Sequence, residues 1–206
     1  MNAYDEKLKQ EKLLPLYTAT DLSLLPKAEE ILLNCGLSFI EVTYRSALAG
    51  QAIKKLSESG RLIVGAGTVK DLDTAKDAIA NGATFIVMPG FDEEVVAYCL
   101  AHDIAVYPGA VTPTEIMKAQ SMGLDTVKFF PANVYGGLAA IKSLHGPFFE
   151  MSFIPTGGVN QENYLEFLDF EAVTAVGGSF IISEKMIQKD GGKIAEEQLK
   201  ALVEKL

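Results

Sequence analysis

Eight short apolar runs, each followed by a helical pattern, limit the fold of this chain more than any other feature. The runs fall at 13–18, 38–44, 62–67, 84–90, 104–110, 126–132, 152–158 and 172–179. The helical patterns fall at 23–35, 46–58, 71–80, 92–102, 113–122, 136–144, 161–168 and 183–188, with a last one at 193–205. Gly36, Gly60, Gly82 and Gly123 stand where helices commonly stop. The runs are apolar on both faces, so each must be covered twice, as a parallel strand between helices is. Eight such units predict one α/β domain over 1–206. Its expected form is a closed (β/α)8 TIM barrel with an extra N-terminal helix. A doubly wound open sheet is the other arrangement this pattern allows.

Charge and punctuation narrow the function. The net charge of −9 argues against nucleic acid and against anionic membrane surfaces as partners. The first residues, "MNAYDEKLKQEKLL", are charged and helical in pattern, unlike a secretory signal. No apolar run approaches the roughly 20 residues that span a bilayer, so the expected compartment is the cytoplasm. Cys35 and Cys99 read as buried, reduced thiols. His102 and His145 stand alone, and no HxH, HExxH or CxxC spacing occurs. Neither a metal nor a cofactor is expected.

In a barrel, chemistry gathers at the C-terminal ends of the strands. Those ends hold a small set of polar residues: Glu41 and Arg45 in "IEVTYR", Thr68 in "GAGTV", Lys128 in "VKFFPA", Thr156, Gly157 and Gly158 in "PTGGV", and Gly177, Gly178 and Ser179 in "VGGS". The glycine pairs let backbone N–H groups approach an anion, and Ser179 adds a donor. The plainer reading of either pair is a tight turn. Arg45 is one of two arginines in a chain that otherwise uses lysine. Its planar fork grips a carboxylate with two bonds, although an exposed helix-start residue would look the same.

Lys128 is the sharpest signal. Apart from it, 127–132 is wholly apolar. Desolvation by apolar walls disfavours an ammonium, and a neutral lysine amine attacks a ketone to form a Schiff base. The protonated imine then accepts electrons from a breaking carbon–carbon bond. Glu41, flanked by Ile40 and Val42, is the second charge inside an apolar run. It reads as a proton-transfer group near that amine, or as its structural ion-pair partner.

The segments "EVTYRS", "GAGTV", "PGAVTP", "VKFFPAN", "PTGGV" and "GGS" resemble, in order and spacing, the bacterial KDPG/KHG aldolases. The resemblance runs from about residue 8 to the C-terminus. It implies a class I aldolase, without a metal and assembled as a homotrimer. The substrate implied is the phosphorylated keto acid 2-keto-3-deoxy-6-phosphogluconate, and also 4-hydroxy-2-oxoglutarate. It implies Lys128 as the Schiff-base residue and Glu41 as the proton shuttle. Arg45 and Thr68 would hold the pyruvate carboxylate end, Thr156 would orient the keto acid, and the two glycine pairs with Ser179 would hold the phosphate. Three positions depart from the family pattern: Thr18 stands where many relatives carry arginine, Asn133 where glutamate is usual, and Met88 where serine is usual. A phosphosugar isomerase and a non-catalytic ligand-binding barrel are the other classes such a strand-end set would serve.

Overall fold

The structure, a computed structural model, describes residues 4–206. Each apolar run becomes a strand, shortened at its ends. The strands are β1 (Leu13–Tyr17), β2 (Phe39–Thr43), β3 (Ile63–Gly67), β4 (Phe85–Val87), β5 (Ala105–Tyr107), β6 (Thr126–Phe129), β7 (Ser152–Pro155) and β8 (Val176–Gly178). The helices are α1 (Asp5–Glu11), α2 (Leu25–Asn34), α3 (Ala49–Ser59), α4 (Leu72–Ala80), α5 (Glu93–Ala101), α6 (Pro113–Ser121), α7 (Gly137–His145), α8 (Tyr164–Leu168), α9 (Glu184–Gln188) and α10 (Lys193–Val203). Local chemistry sets several boundaries. The Asp71 and Asp92 carboxylates accept from the backbone N–H of Thr74 and Val95, at 2.8 and 3.0 Å, and start α4 and α5. Thr112 and Glu115 cap α6 reciprocally, ahead of a proline that needs no N–H there. Among the described residues no helix is long and apolar enough to cross a membrane.

The strands divide into a six-stranded parallel sheet, ordered β5-β4-β3-β2-β1-β8, and a separate parallel pair, β6-β7. The closed eight-stranded TIM barrel expected from the sequence is therefore not formed; the larger sheet is a half-barrel. Two prolines give the physical reason. In a strand, alternate N–H groups face the same neighbour. Ala110 N–H donates to the Lys128 carbonyl at 2.9 Å, and the preceding donor facing that seam would be residue 108, a proline. β5 and β6 thus meet at one isolated bridge, Gly109 to Lys128. At the other seam, Phe153 N–H donates to the Ala172 carbonyl at 2.7 Å, and the next donor facing that way would be Pro155. Only the bridges Phe153–Val173 and Thr156–Gly177 remain on that side of β7. Proline lacks the N–H that a ladder requires.

Both faces of the strands are buried, as their apolar runs demand. Tyr17, Ile40, Val42, Val64, Ile86, Val127 and Phe153 pack in the larger core, with α2 to α6 and α10 contributing to the same cluster. The opposite, inner face carries Leu14, Leu16, Phe39, Phe85, Val87, Tyr107 and Ile154, with Leu8 of α1. Tyr4 presents its ring edge to Phe39 and Phe85 at centroid distances of 5.9 and 6.3 Å. The Tyr107 hydroxyl donates to Asp5 Oδ1 at 2.9 Å. The N-terminal segment thereby seals the inner face at the N-terminal ends of the strands and leaves their C-terminal ends for chemistry.

Phe85 joins three of these rings, Tyr4, Phe39 and Tyr107. Phe85→Ala is expected to cost about 3–5 kcal/mol of stability, the usual range for a buried phenylalanine. Urea unfolding followed by circular dichroism measures this. A loss below about 1 kcal/mol would mean that the aromatic seal contributes little.

Candidate active site

Lys128 and Glu41 come from strands that are not ladder neighbours. In the parallel ladders Lys128 pairs with Ile154 and Glu41 with Leu16, both members of the inner cluster. The two charged side chains therefore point to the same inner face from β6 and β2. Lys128 Nζ lies 3.6 Å from Glu41 Oε1. Glu41 is fully buried and Lys128 is 5% exposed. That separation is an ion pair, but longer than a hydrogen bond. Among the described residues neither Glu41 oxygen has a hydrogen-bond partner, and the buried Thr156 Oγ1 has none either. Buried polar atoms left in this state are uncommon, and the two of Glu41 lie beside a buried amine. Phe130 places its ring 5.2 Å from Lys128 Nζ, a cation–π wall on the amine.

Burial pushes the Glu41 carboxyl above its ordinary value, while the Lys128 ammonium and, more weakly, the Arg45 guanidinium pull it back. Burial dominates. The carboxylate also needs room. Gly67, opposite Thr43 in the β2–β3 register, has no side chain, and a Cβ at that position would fall on the Glu41 carboxyl. The next residue, Thr68, has φ 58°, a left-handed conformation that a β-branched residue rarely adopts. Such local strain costs on the order of 1–3 kcal/mol and collects at functional sites.

The other strand-end residues spread around this pair. Arg45 is exposed, and its Nε donates to Thr43 Oγ1 at 3.2 Å. Gly157 and Gly158 both have positive φ, 85° and 83°, so the turn after β7 requires glycine whatever it binds. Gly177 and Gly178 lie inside β8, and Ser179 is the exposed residue after it. Helices α8 and α9 begin several residues beyond the glycine pairs, so neither pair forms a helix N-terminus. A cavity of about 400 Å³ opens at the other end of the strands, lined by Tyr4, Leu100, Ile104 and Leu124 among others, and holds none of these residues. The chemistry, rather than the volume, marks the site. Among the described residues no three His, Cys, Asp or Glu side chains cluster to hold a metal ion.

Residues 4–196 match the family described as "Aldolase: KDPG and KHG aldolase". The chain belongs to the KDPG and KHG aldolase family. It is 36% identical over 183 residues to the 2-dehydro-3-deoxy-phosphogluconate aldolase of Treponema pallidum, covering 88% of this chain and 87% of that one. Among solved structures it is similar to the KDPG aldolase of Legionella pneumophila with pyruvate captured at low pH as a covalent carbinolamine intermediate. That likeness has TM-score 0.91 and 31% identity, over 96% of this chain and 97% of the other. It is also similar to the 2-keto-3-deoxy-6-phosphogluconate aldolase of Zymomonas mobilis with 3-phosphoglycerate, at TM-score 0.89 and 31% identity over 97% and 94% of the two chains.

Two residues of this KDPG and KHG aldolase family member escaped the reading of its sequence as site residues. Gly67 passed as part of a strand, although its place one register step from Glu41 clears the carboxylate. Thr43 was legible by the period-2 alternation from Glu41, which puts it on the same face. Gly67→Ala is expected to displace the Glu41 carboxyl and lower kcat/KM at least about 100-fold, the scale of losing a positioned proton-transfer group. Circular dichroism should still report a folded chain; near-normal activity would mean that Glu41 does not need this position. Glu41 also makes stability depend on pH. A raised folded-state value stabilises the fold fully below the ordinary 4.5, and this is lost as pH rises through the raised value. The unfolding free energy of the unmutated protein should therefore fall with pH relative to Glu41→Gln across that window. A difference that is flat in pH would contradict the burial effect.

Proposed function

We propose that this chain is a class I aldolase that cleaves 2-keto-3-deoxy-6-phosphogluconate to pyruvate and glyceraldehyde 3-phosphate. The observation that carries the reading is the buried amine of Lys128, 3.6 Å from the buried carboxyl of Glu41. The neutral Lys128 amine attacks the C2 ketone and gives a carbinolamine, which loses water to form the iminium. Glu41, as carboxylate, takes the C4 hydroxyl proton. The C3–C4 bond breaks, and its electron pair moves into the iminium to give an enamine and the aldehyde. Proton return from Glu41 to C3 restores an iminium, and water releases pyruvate and the free lysine. Burial raises the proton affinity of Glu41 toward the working pH of a general base.

The remaining residues take roles consistent with their positions. Arg45, with an exposed guanidinium, and Thr68 hold the keto-acid carboxylate. Thr156, whose buried hydroxyl has no partner among the described residues, orients the keto acid. Gly157, Gly158, Gly177, Gly178 and Ser179 hold the phosphate with backbone and hydroxyl donors. The same pocket accepts 4-hydroxy-2-oxoglutarate, which yields pyruvate and glyoxylate. The enzyme works in the cytoplasm as a homotrimer; exposed apolar side chains at Met117, Val134, Tyr135 and Phe149 support a partner surface.

Borohydride reduction in the presence of pyruvate tests this reading. One pyruvyl adduct per chain should map to Lys128 by mass spectrometry, and Lys128→Ala should lose both the adduct and the cleavage of 2-keto-3-deoxy-6-phosphogluconate. An adduct on another lysine, or none, would overturn the assignment and return the chain to the isomerase or binding classes.

A further inference from the structure

The hydroxyls at the ends of β1 and β2 form a chain that begins at Arg45. Arg45 Nε donates to Thr43 Oγ1 at 3.2 Å, and Thr43 Oγ1 lies 2.7 Å from Thr18 Oγ1. A guanidinium carries only donors, so Thr43 Oγ1 must accept from Arg45. Thr43 then has one proton to give, and two acceptors are near it. Thr18 Oγ1 is at 2.7 Å and the Tyr17 carbonyl at 3.5 Å. The longer contact is at the limit of a hydrogen bond. With the Thr43 proton on Thr18 Oγ1, the Thr18 hydroxyl keeps its own proton unspent. Turning the chain this way gives up only the 3.5 Å contact and offers a charged acceptor a donor.

The position of Thr18 suits that use. Thr43 is fully buried, whereas Thr18 is half-buried and ends the chain at the open end of the strands. Thr18 is two residues beyond Leu16, the register partner of Glu41, and so lies on the same face as the Glu41–Lys128 pair. Its loop is held from both sides. The Ala19 carbonyl accepts from the Ser46 hydroxyl, and the Glu184 carboxylate accepts from Thr20 N and Asp21 N at 2.7 and 2.9 Å. The hydroxyl is therefore set in place before any ligand arrives, which lowers the entropy cost of binding.

We propose that Thr18 is a substrate-binding residue whose hydroxyl donates to the keto-acid carboxylate, beside the Arg45 guanidinium. It supplies a neutral donor at the end of β1. The proposal rests on the Schiff-base reading above. The test is the pyruvate concentration that half-saturates borohydride labelling of Lys128. Thr18→Val keeps the shape and removes the hydroxyl. It should raise that concentration about 10-fold, the scale of one hydrogen bond to a charged group, and leave the label at saturation unchanged. Thr18→Ser should return it close to the unmutated value. An unchanged half-saturation in Thr18→Val overturns the proposal. So does a rise that Thr18→Ser fails to reverse, since that marks packing. A change confined to KM for the phosphorylated substrate overturns it too, because the donor would then serve the other anion. If the unmutated protein takes no label, the Schiff-base reading falls, and this proposal with it.

Discussion

An amine and a carboxyl held 3.6 Å apart, both out of water, set the terms for the rest of this structure. Removing either partner of such a pair leaves an uncompensated buried charge and costs about 3–5 kcal/mol. The pair contributes little net stability by itself, because desolvation consumes most of the Coulomb gain. What surrounds it is arranged to tolerate it. Gly67 gives the carboxylate its space, and the Phe130 ring faces the ammonium. The aromatic cluster of Tyr4, Phe39, Phe85 and Tyr107 closes the inner face at the far end of the strands. The pair is reached from the strand C-termini.

Around that opening the polar groups are mostly neutral hydroxyls, disposed by a few charges. Arg45 orders Thr43 and Thr18, and Glu184 holds the loop that follows them.

Much of the site was legible because its members break a local rule. Lys128 and Glu41 are charges inside apolar runs, and burial is costly for both, so their presence called for a reason. The strand and helix positions were legible from periodicity, with ends displaced by a few residues. The closed barrel was not what formed, although Pro108 and Pro155 stood in plain sight. A proline's effect depends on which neighbour its missing N–H would have faced, and that needs the register of two strands. The two glycine pairs looked equivalent in sequence and are not. Gly157 and Gly158 make a left-handed turn, whereas Gly177 and Gly178 belong to β8.

The amino-acid sequence by itself determined the order of elements, which strand faces are apolar, and which two strand residues would carry a charge. Those outcomes depend on residues within a few positions of each other. The tertiary structure alone decided that β2 and β6 face one another closely enough for Glu41 to meet Lys128, and that the sheet divides at two seams. It also decided the partners of Thr43, which turn a buried hydroxyl into a link between Arg45 and Thr18. These are contacts between segments distant along the chain. Side-chain chemistry is set residue by residue, but distances of 3 to 4 Å between such segments exist only once the strands have packed.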